Sequence, residues 1–304
     1  MAAATCLGIA GADAIAQAYP AKPIKILVGY GPGGATDVTA RIVAQKLAEN
    51  IRQSVIVENR PGAIGAIAIQ AVVTAPADGY TLLMISASEA VLPALRASLP
   101  FDFERDLAPV SLVTLSPYVL VVHPSVPAKT FTELLAIAKS APGRLNNGSS
   151  GIGSLSHLFG ELINVMANVK IVHVPYKGAA EAATAAASGH IEMSFPSITG
   201  ALPLVQAGKL RQIAVTSGKR SSLIPSLPTI SESGLPGYDR TGWYGLLTAA
   251  RVPREIIAQL NAELIKVAAN AETRAALNKQ GLEPQTGKPE EFAEFIRNEI
   301  AQNA

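Results

Sequence analysis

The sequence predicts an α/β fold of two lobes with a ligand cleft between them. Three observations predict it. Short apolar, β-like runs alternate with longer helical patterns along most of the 304 residues. One long extended stretch, 109–122 (PVSLVTLSPYVLVV), is interrupted by Ser116-Pro117 and reads as a crossing between lobes. Two glycine-rich turns, one in each half, stand between a strand and a helix. Apolar residues at 49% against 16% charged supply a large core and argue against disorder.

The leader comes first. Residues 1–18 are small and apolar, and Ala16-Gln17-Ala18 before Tyr19 has the A-x-A form of a secretory cleavage site. They read as a signal peptide whose basic n-region is missing, which points to a truncated or misplaced start. Cys6, the single cysteine, lies in this leader and lacks the preceding leucine of a lipoprotein anchor. The mature chain then needs no disulfide, which suits an oxidising compartment. The net charge of +2 is spread without a basic run, so nucleic acid is not an expected partner.

The first strand is IKILVG (24–29), and a helical pattern opens at Thr36–Asp37 with Val38, Ile42, Val43 and Leu47 on one stripe. Between them lie Tyr30, Gly31, Pro32, Gly33, Gly34 and Ala35. Such a turn aims free backbone N–H groups at the positive end of a helix dipole, which suits an anion. Three readings stay open here: a carboxylate or other anion, a dinucleotide, or a purely structural βα turn. Gly29, Gly31 and Gly34 spell G-x-G-x-x-G with Glu58 downstream, which would make an NAD-dependent oxidoreductase. Pro32 argues against that, and the absence of a lysine excludes a Walker-type loop.

SVIVE (54–58) is a strand, and Pro61-Gly62 opens a helix through about Thr74. YTLLMIS (80–86) is a buried strand, and Ser86 and Ser88 lie just past its C-terminal end, where open parallel sheets bind ligands. Helix capping is their other use. The second series runs helix 130–140, strand 145–148, helix 154–167, strand 170–174, helix 178–188, strand 190–195, helix 199–207 and strand 210–216. Parallel βαβ units follow from this order. A Ser/Pro/Gly-rich return (221–238), the strand 243–249 and three helices to 301 complete the chain. The lobes are assigned as 19–121 plus 217–304, and 122–216.

The second glycine-rich turn carries Ser149, Ser150, Gly151, Gly153 and Ser154 before a helix, again without Lys or Arg. Neutral donors of this kind match a carboxylate without a permanent ion pair, which fits reversible capture. His157 sits one turn into that helix and could reach a ligand or simply pack. Tyr176 and Lys177 follow a strand at the same kind of edge. No GxSxG, HExxH, cysteine nucleophile or repeated Cys/His spacing occurs, so catalytic residues, metal and cofactor are all expected to be absent.

Several blocks in one order carry a resemblance: YPAKPIKILVGYGPGGATD, VIVENRPGA, ADGYTLLM, LPFDFERDLAPVS, NNGSSGIGSLSH, VHVPYKG, AGKLRQIAVTSGKR and LPTISESGLPGY. From Tyr19 to about Ile300 the chain resembles the Bug-type, tripartite tricarboxylate transporter, substrate-binding proteins. The resemblance implies a periplasmic type II binding protein (a Venus flytrap) without catalysis; a monomer is the default expectation for a two-lobed capture protein. It would deliver an organic carboxylate to membrane permease subunits. A sensor module presenting its ligand to a membrane kinase would share the fold. The resemblance places the ligand carboxylates on the turns Gly31–Asp37 and Ser149–Ser154, with Ser86–Ser88 and Tyr176–Lys177 around the cleft.

Two departures from the family pattern matter. Phe195-Pro196-Ser197 stands where many members carry Phe-Asp-Asn. The missing acid implies a ligand with terminal carboxylates and an apolar middle. A straight-chain or aromatic dicarboxylate of the terephthalate type fits; malate, citrate and aspartate fit less well. After Ile300 the chain reads AQNA instead of a Trp-containing helix end, which is expected to affect the last helix and not the cleft.

Overall fold

A computed structural model describes residues 19–95 and 98–303. The expected leader, 1–18, lies outside the described residues. In chain order the first elements are β1 (Ile24–Val28), α1 (Ala35–Ile51), β2 (Val55–Asn59), α2 (Ala66–Val73), β3 (Thr81–Ser86), α3 (Leu92–Leu95), α4 (Phe103–Asp106) and β4 (Leu107–Ser116). Next come β5 (Val119–Val122), α5 (Phe131–Ser140), β6 (Asn146–Ser149), α6 (Leu155–Ala167), β7 (Val172–Pro175), α7 (Ala179–Ala187), β8 (Met193–Ser194), α8 (Ile198–Gln206) and β9 (Arg211–Val215). The chain ends with β10 (Gly242–Ala249), α9 (Arg254–Ala269), α10 (Ala271–Lys279), β11 (Glu283–Pro284) and α11 (Pro289–Asn303).

Two sheets form, ordered β11-β4-β10-β3-β1-β2 and β7-β6-β8-β5-β9. This is the two-lobed α/β architecture that the alternating pattern predicts. The sheets are mixed, however. The sets β2-β1-β3 and β7-β6-β8 are parallel, as expected, but β10, β4, β5 and β9 pair antiparallel. Those four strands flank the passages between the sheets, where the chain reverses instead of crossing over through a helix.

Period-2 alternation builds the first lobe. Ile24, Ile26 and Val28 of β1 enter one core with Val43 and Leu47 of α1 and Leu260 and Leu264 of α9. Leu27, between them, points to the other face, with Ile69 of α2 and Phe292 of α11. The face of α1 turned inward is Thr36, Ala40, Val43 and Leu47; Val38 and Ile42 of the expected stripe are only half-buried. The helix expected from Pro61–Gly62 is interrupted. A 3-10 turn at Ala63–Gly65, with Ile64 left-handed, precedes α2.

The second lobe packs Phe131 and Leu134 of α5 and Phe159 and Ile163 of α6 against Leu120 and Val122 of β5. Its other face buries Val119 and Val121 under the alanines of α7 and Ala201 of α8. A capping box fixes the start of α5, with Thr130 accepting from Glu133 N–H and Glu133 reaching back. The lobe boundary expected at 216/217 does not follow the packing. Ile230, Leu235 and Tyr238 of the return segment are buried in the second lobe's core. The Tyr238 hydroxyl also donates to the Phe159 carbonyl at 3.1 Å.

The two passages lie side by side. Thr216 N–H donates to the Tyr118 carbonyl at 3.0 Å, and Arg240 N–H to the Thr216 carbonyl at 2.9 Å. Gly242 then pairs with Ser116. Both sheets end their parallel strands toward this hinge-flanked space.

Candidate functional site

The first turn is built for close approach. A Cβ on Gly29 would strike the Gly65 backbone, and Gly33 takes φ +84°, a region that favours glycine. So the glycines of the turn have packing and turning roles that need no pyrophosphate. Glu58, the acid of the dinucleotide reading, is engaged by Arg60 at 2.7 Å and Lys25 at 3.8 Å.

Asp37 belongs to the same frame. Its side chain is 2% exposed. It accepts from Gly33 N–H at 2.9 Å, Arg41 Nε at 2.9 Å and Asn59 Nδ2 at 2.8 Å. Desolvation alone would raise its pKa, but the Arg41, Gly33 and Asn59 hydrogen bonds outweigh it and hold the carboxyl below the usual range. Asp37 was expected to touch ligand; it holds the turn closed from behind instead.

What this frame presents is the open end of α1. Its N-cap, Gly34, has no side chain to cap with, and the first helical bond is Val38 N–H to the Gly34 carbonyl. Among the described residues no group accepts from the N–H of Ala35 or Thr36. Helix α7 repeats the arrangement, with Gly178 as an uncapped N-cap before Ala179. Helix α6 starts at Ser154, whose hydroxyl meets His157 N–H and donates to the Gly151 carbonyl at 2.7 Å.

These three helix starts meet at one cavity of about 260 Å³ between the lobes. The first lobe contributes Tyr30, Gly34, Ala35, Thr36, Ser86 and Ser88; the second contributes Ser150, Ser154, Leu155, Ser156 and Ala179. Tyr118, Trp243 and Tyr244 line it from the passages. Among the described residues no lysine, arginine or histidine lines it. The positive potential comes from helix termini and the donors are amides and hydroxyls.

The other expected residues lie elsewhere. Gly31, Pro32 and Gly33 are exposed and do not line the cavity. Ser149 is fully buried; its hydroxyl meets His173 Nε2 and the Gly151 N–H, so it shapes the second turn from inside. Gly151 and Gly153 supply positive φ there. The His157 ring lies 3.8 Å from the His173 ring, and its Nδ1 accepts from Gly153 N–H at 3.2 Å. It braces the turn and does not line the cavity. Tyr176 is half-buried against β6, and exposed Lys177 is tied through its N–H to Glu181. Pro196 is buried with its carbonyl on Val119 N–H, and Ser197 caps α8. Both were expected at the ligand's middle; strand pairing with the first passage keeps them behind Tyr118.

Sequence reasoning missed Tyr118, Leu155, Ser156, Ala179, Trp243 and Tyr244. The available signal was positional: Tyr118 follows Ser116-Pro117, and Trp243-Tyr244 opens the strand after the return. Aromatic residues at interlobe passages line a cleft by construction. Trp243 also ties the last helix, ahead of its departure after Ile300, to the cleft. Its Nε1 donates to Glu299 of α11 at 3.0 Å, and its ring meets Phe292 and Phe295 edge-on. The last helix therefore supports the cleft wall.

A larger cavity of about 580 Å³ lies beside the passages. Four of its charged groups are already engaged: Arg220 with Glu232 at 2.9 Å, Asp239 with Gly218 N–H at 2.7 Å, Glu283 with Ser221, and Glu299 with Trp243. The interlobe cleft differs in gathering the starts of three helices.

Residues 39–304 match the family model "Tripartite tricarboxylate transporter family receptor". Protein BugT of Bordetella pertussis is 35% identical over 295 residues, covering 96% of this chain and 90% of that protein. The R. palustris protein Rpa4515, solved with adipate, is 33% identical with a TM-score of 0.78, over 93% of this chain and 95% of that one. MatC from Rhodopseudomonas palustris, solved with bound malate, is 28% identical with a TM-score of 0.74, over 94% and 98%.

Proposed function

The chain belongs to the tripartite tricarboxylate transporter receptor family, and on that premise we propose that it captures an organic dicarboxylate in the periplasm. It hands this solute to the membrane permease subunits of its transporter. The carrying observation is the meeting of α1, α6 and α7 N-termini at a cavity without a cation. Amide donors suit a carboxylate that must later be released. The wall made by Tyr118, Leu155, Trp243 and Tyr244 favours an apolar middle, straight-chain or aromatic. Adipate in the Rpa4515 relative supports this class. Malate in MatC shows that its hydroxyl is accepted by a relative, not that this wall suits it. Secretion of the mature chain from Tyr19 completes the reading, and no helix among the described residues is long and apolar enough to cross a membrane.

A melting screen of adipate, terephthalate, malate, citrate and NAD tests it. Adipate or terephthalate should raise the melting temperature, since a ligand at a hundred times its Kd adds about 2.7 kcal/mol to the native state. NAD should have no effect. A response to NAD with silence from every carboxylate would overturn the reading, and malate stabilising more than either apolar diacid would overturn the assignment of the middle.

A further inference from the structure

We propose that Glu89 is a proton-linked positioning residue for this cleft: its protonation turns the Ser86 hydroxyl toward the ligand, so a carboxylate and a proton are taken up together. The proposal rests on the carboxylate reading of the cleft.

Glu89 opens a 3-10 turn, Glu89–Val91, just beyond β3, and is 1% exposed. Its Oε2 accepts from Ser86 N–H at 3.0 Å and from Ser86 Oγ at 2.6 Å. Ser86 itself lines the cavity, as does Tyr30, whose buried hydroxyl lies beside the same carboxyl without a well-formed hydrogen bond. One residue therefore separates a buried acid from the ligand space.

The neighbours are few. The first turn offers Tyr30, the end of β3 offers Ser86 and Ser88, and β10 offers Tyr244. The 63–65 turn presents only the Gly65 backbone, where a Cβ would come within 2.9 Å of Glu89 Oε1. Helix α11 adds Phe292 and Ile296 to the core shared with Ala90. No ion pair among the described residues includes Glu89. Burial thus raises its pKa to about 7, against the pull of the Ser86 hydrogen bonds.

A serine hydroxyl has one proton to donate. While Glu89 is ionised, that proton goes to Oε2, and Ser86 turns only lone pairs to the cleft, with a negative charge behind them. Both repel a carboxylate. Once solvent protonates Glu89, its O–H donates to Ser86 Oγ, and the Ser86 O–H is free to donate to the ligand. Only O–H groups change partner.

Calorimetric titration of the wild type and Glu89→Gln with adipate and with terephthalate, at about pH 6 and pH 8, tests this. Two buffers of different ionisation heat report the protons exchanged. Wild-type affinity should fall about tenfold from pH 6 to pH 8, with up to one proton taken up on binding. Glu89→Gln should lose that slope and that uptake. His157 and His173 remain in both proteins, so the difference between the slopes is the readout. Should Glu89→Gln fail to fold, Ser86→Ala replaces it and must cut affinity more at pH 6 than at pH 8. Equal slopes in wild type and Glu89→Gln, or pH-independent wild-type binding, would overturn the proposal and leave the carboxylate reading standing. If neither diacid binds at any pH, both fall.

Discussion

Asp37 has the type and place of a ligand contact, at the start of a helix behind a glycine turn, yet its carboxylate is consumed by the protein. Three donors converge on it, and one of them, Gly33 N–H, belongs to the turn it secures. Asp37→Ala leaves the Gly33 and Asn59 donors short of an acceptor, so it should cost about 1–3 kcal/mol in urea unfolding at pH 7. It should also weaken carboxylate binding by loosening the turn. The native pKa is depressed, so the stabilisation is present above the ordinary value of 3.8 and is lost as pH falls through the lower native value. The gap between wild type and variant should therefore narrow in acid; a gap that stays constant would show that the ionised carboxylate is not what holds the turn. Glu89 has the opposite sign. Its raised pKa means stability is greatest below about 4.5 and declines as pH rises through about 7, and Glu89→Gln should lack that decline in the absence of ligand.

At the scale of elements, the open end of α1 separates stability from binding. Gly34 has φ −73°, and an added Cβ meets nothing closer than 3.8 Å. Gly34→Asp is therefore accommodated, and aspartate is a better N-cap than glycine by a few tenths of a kcal/mol. The new carboxylate fills the donor site that a ligand would use. The variant should melt at or slightly above the wild-type temperature and lose measurable binding; retained affinity would remove this turn from the site. Much of this was legible in sequence, because glycines interrupting a strand-to-helix pattern announce an uncapped helix start. The strand-to-helix alternation and the break at Ser116-Pro117 were legible for the same reason, as local patterns. The antiparallel pairing was not, nor the two-residue β11, nor that the strand expected at 190–195 pairs over only Met193–Ser194, since pairing partners lie far apart in sequence. Nor was the cleft wall, because Tyr118 and Trp243 become neighbours only when the two passages lie side by side.

The whole molecule is two sheets joined by two adjacent passages, with donors on both sides of the space between. One carboxylate can engage α1 in the first lobe while the other engages α6 or α7 in the second. A bridging ligand has affinity only for an arrangement that satisfies both ends, so it shifts the population toward closure. Solution scattering should show a smaller radius of gyration on saturation with a bound diacid. The single tryptophan, Trp243, lines the cleft beside the hinge, so its emission should shift over the same concentration range. Glu299→Ala releases the Trp243 indole N–H from α11 and should alter that emission before any ligand is added. A monocarboxylate reaches only one lobe and should bind weakly without closing the molecule. Equal compaction by mono- and dicarboxylates would place both grips in one lobe and exclude the bridging arrangement.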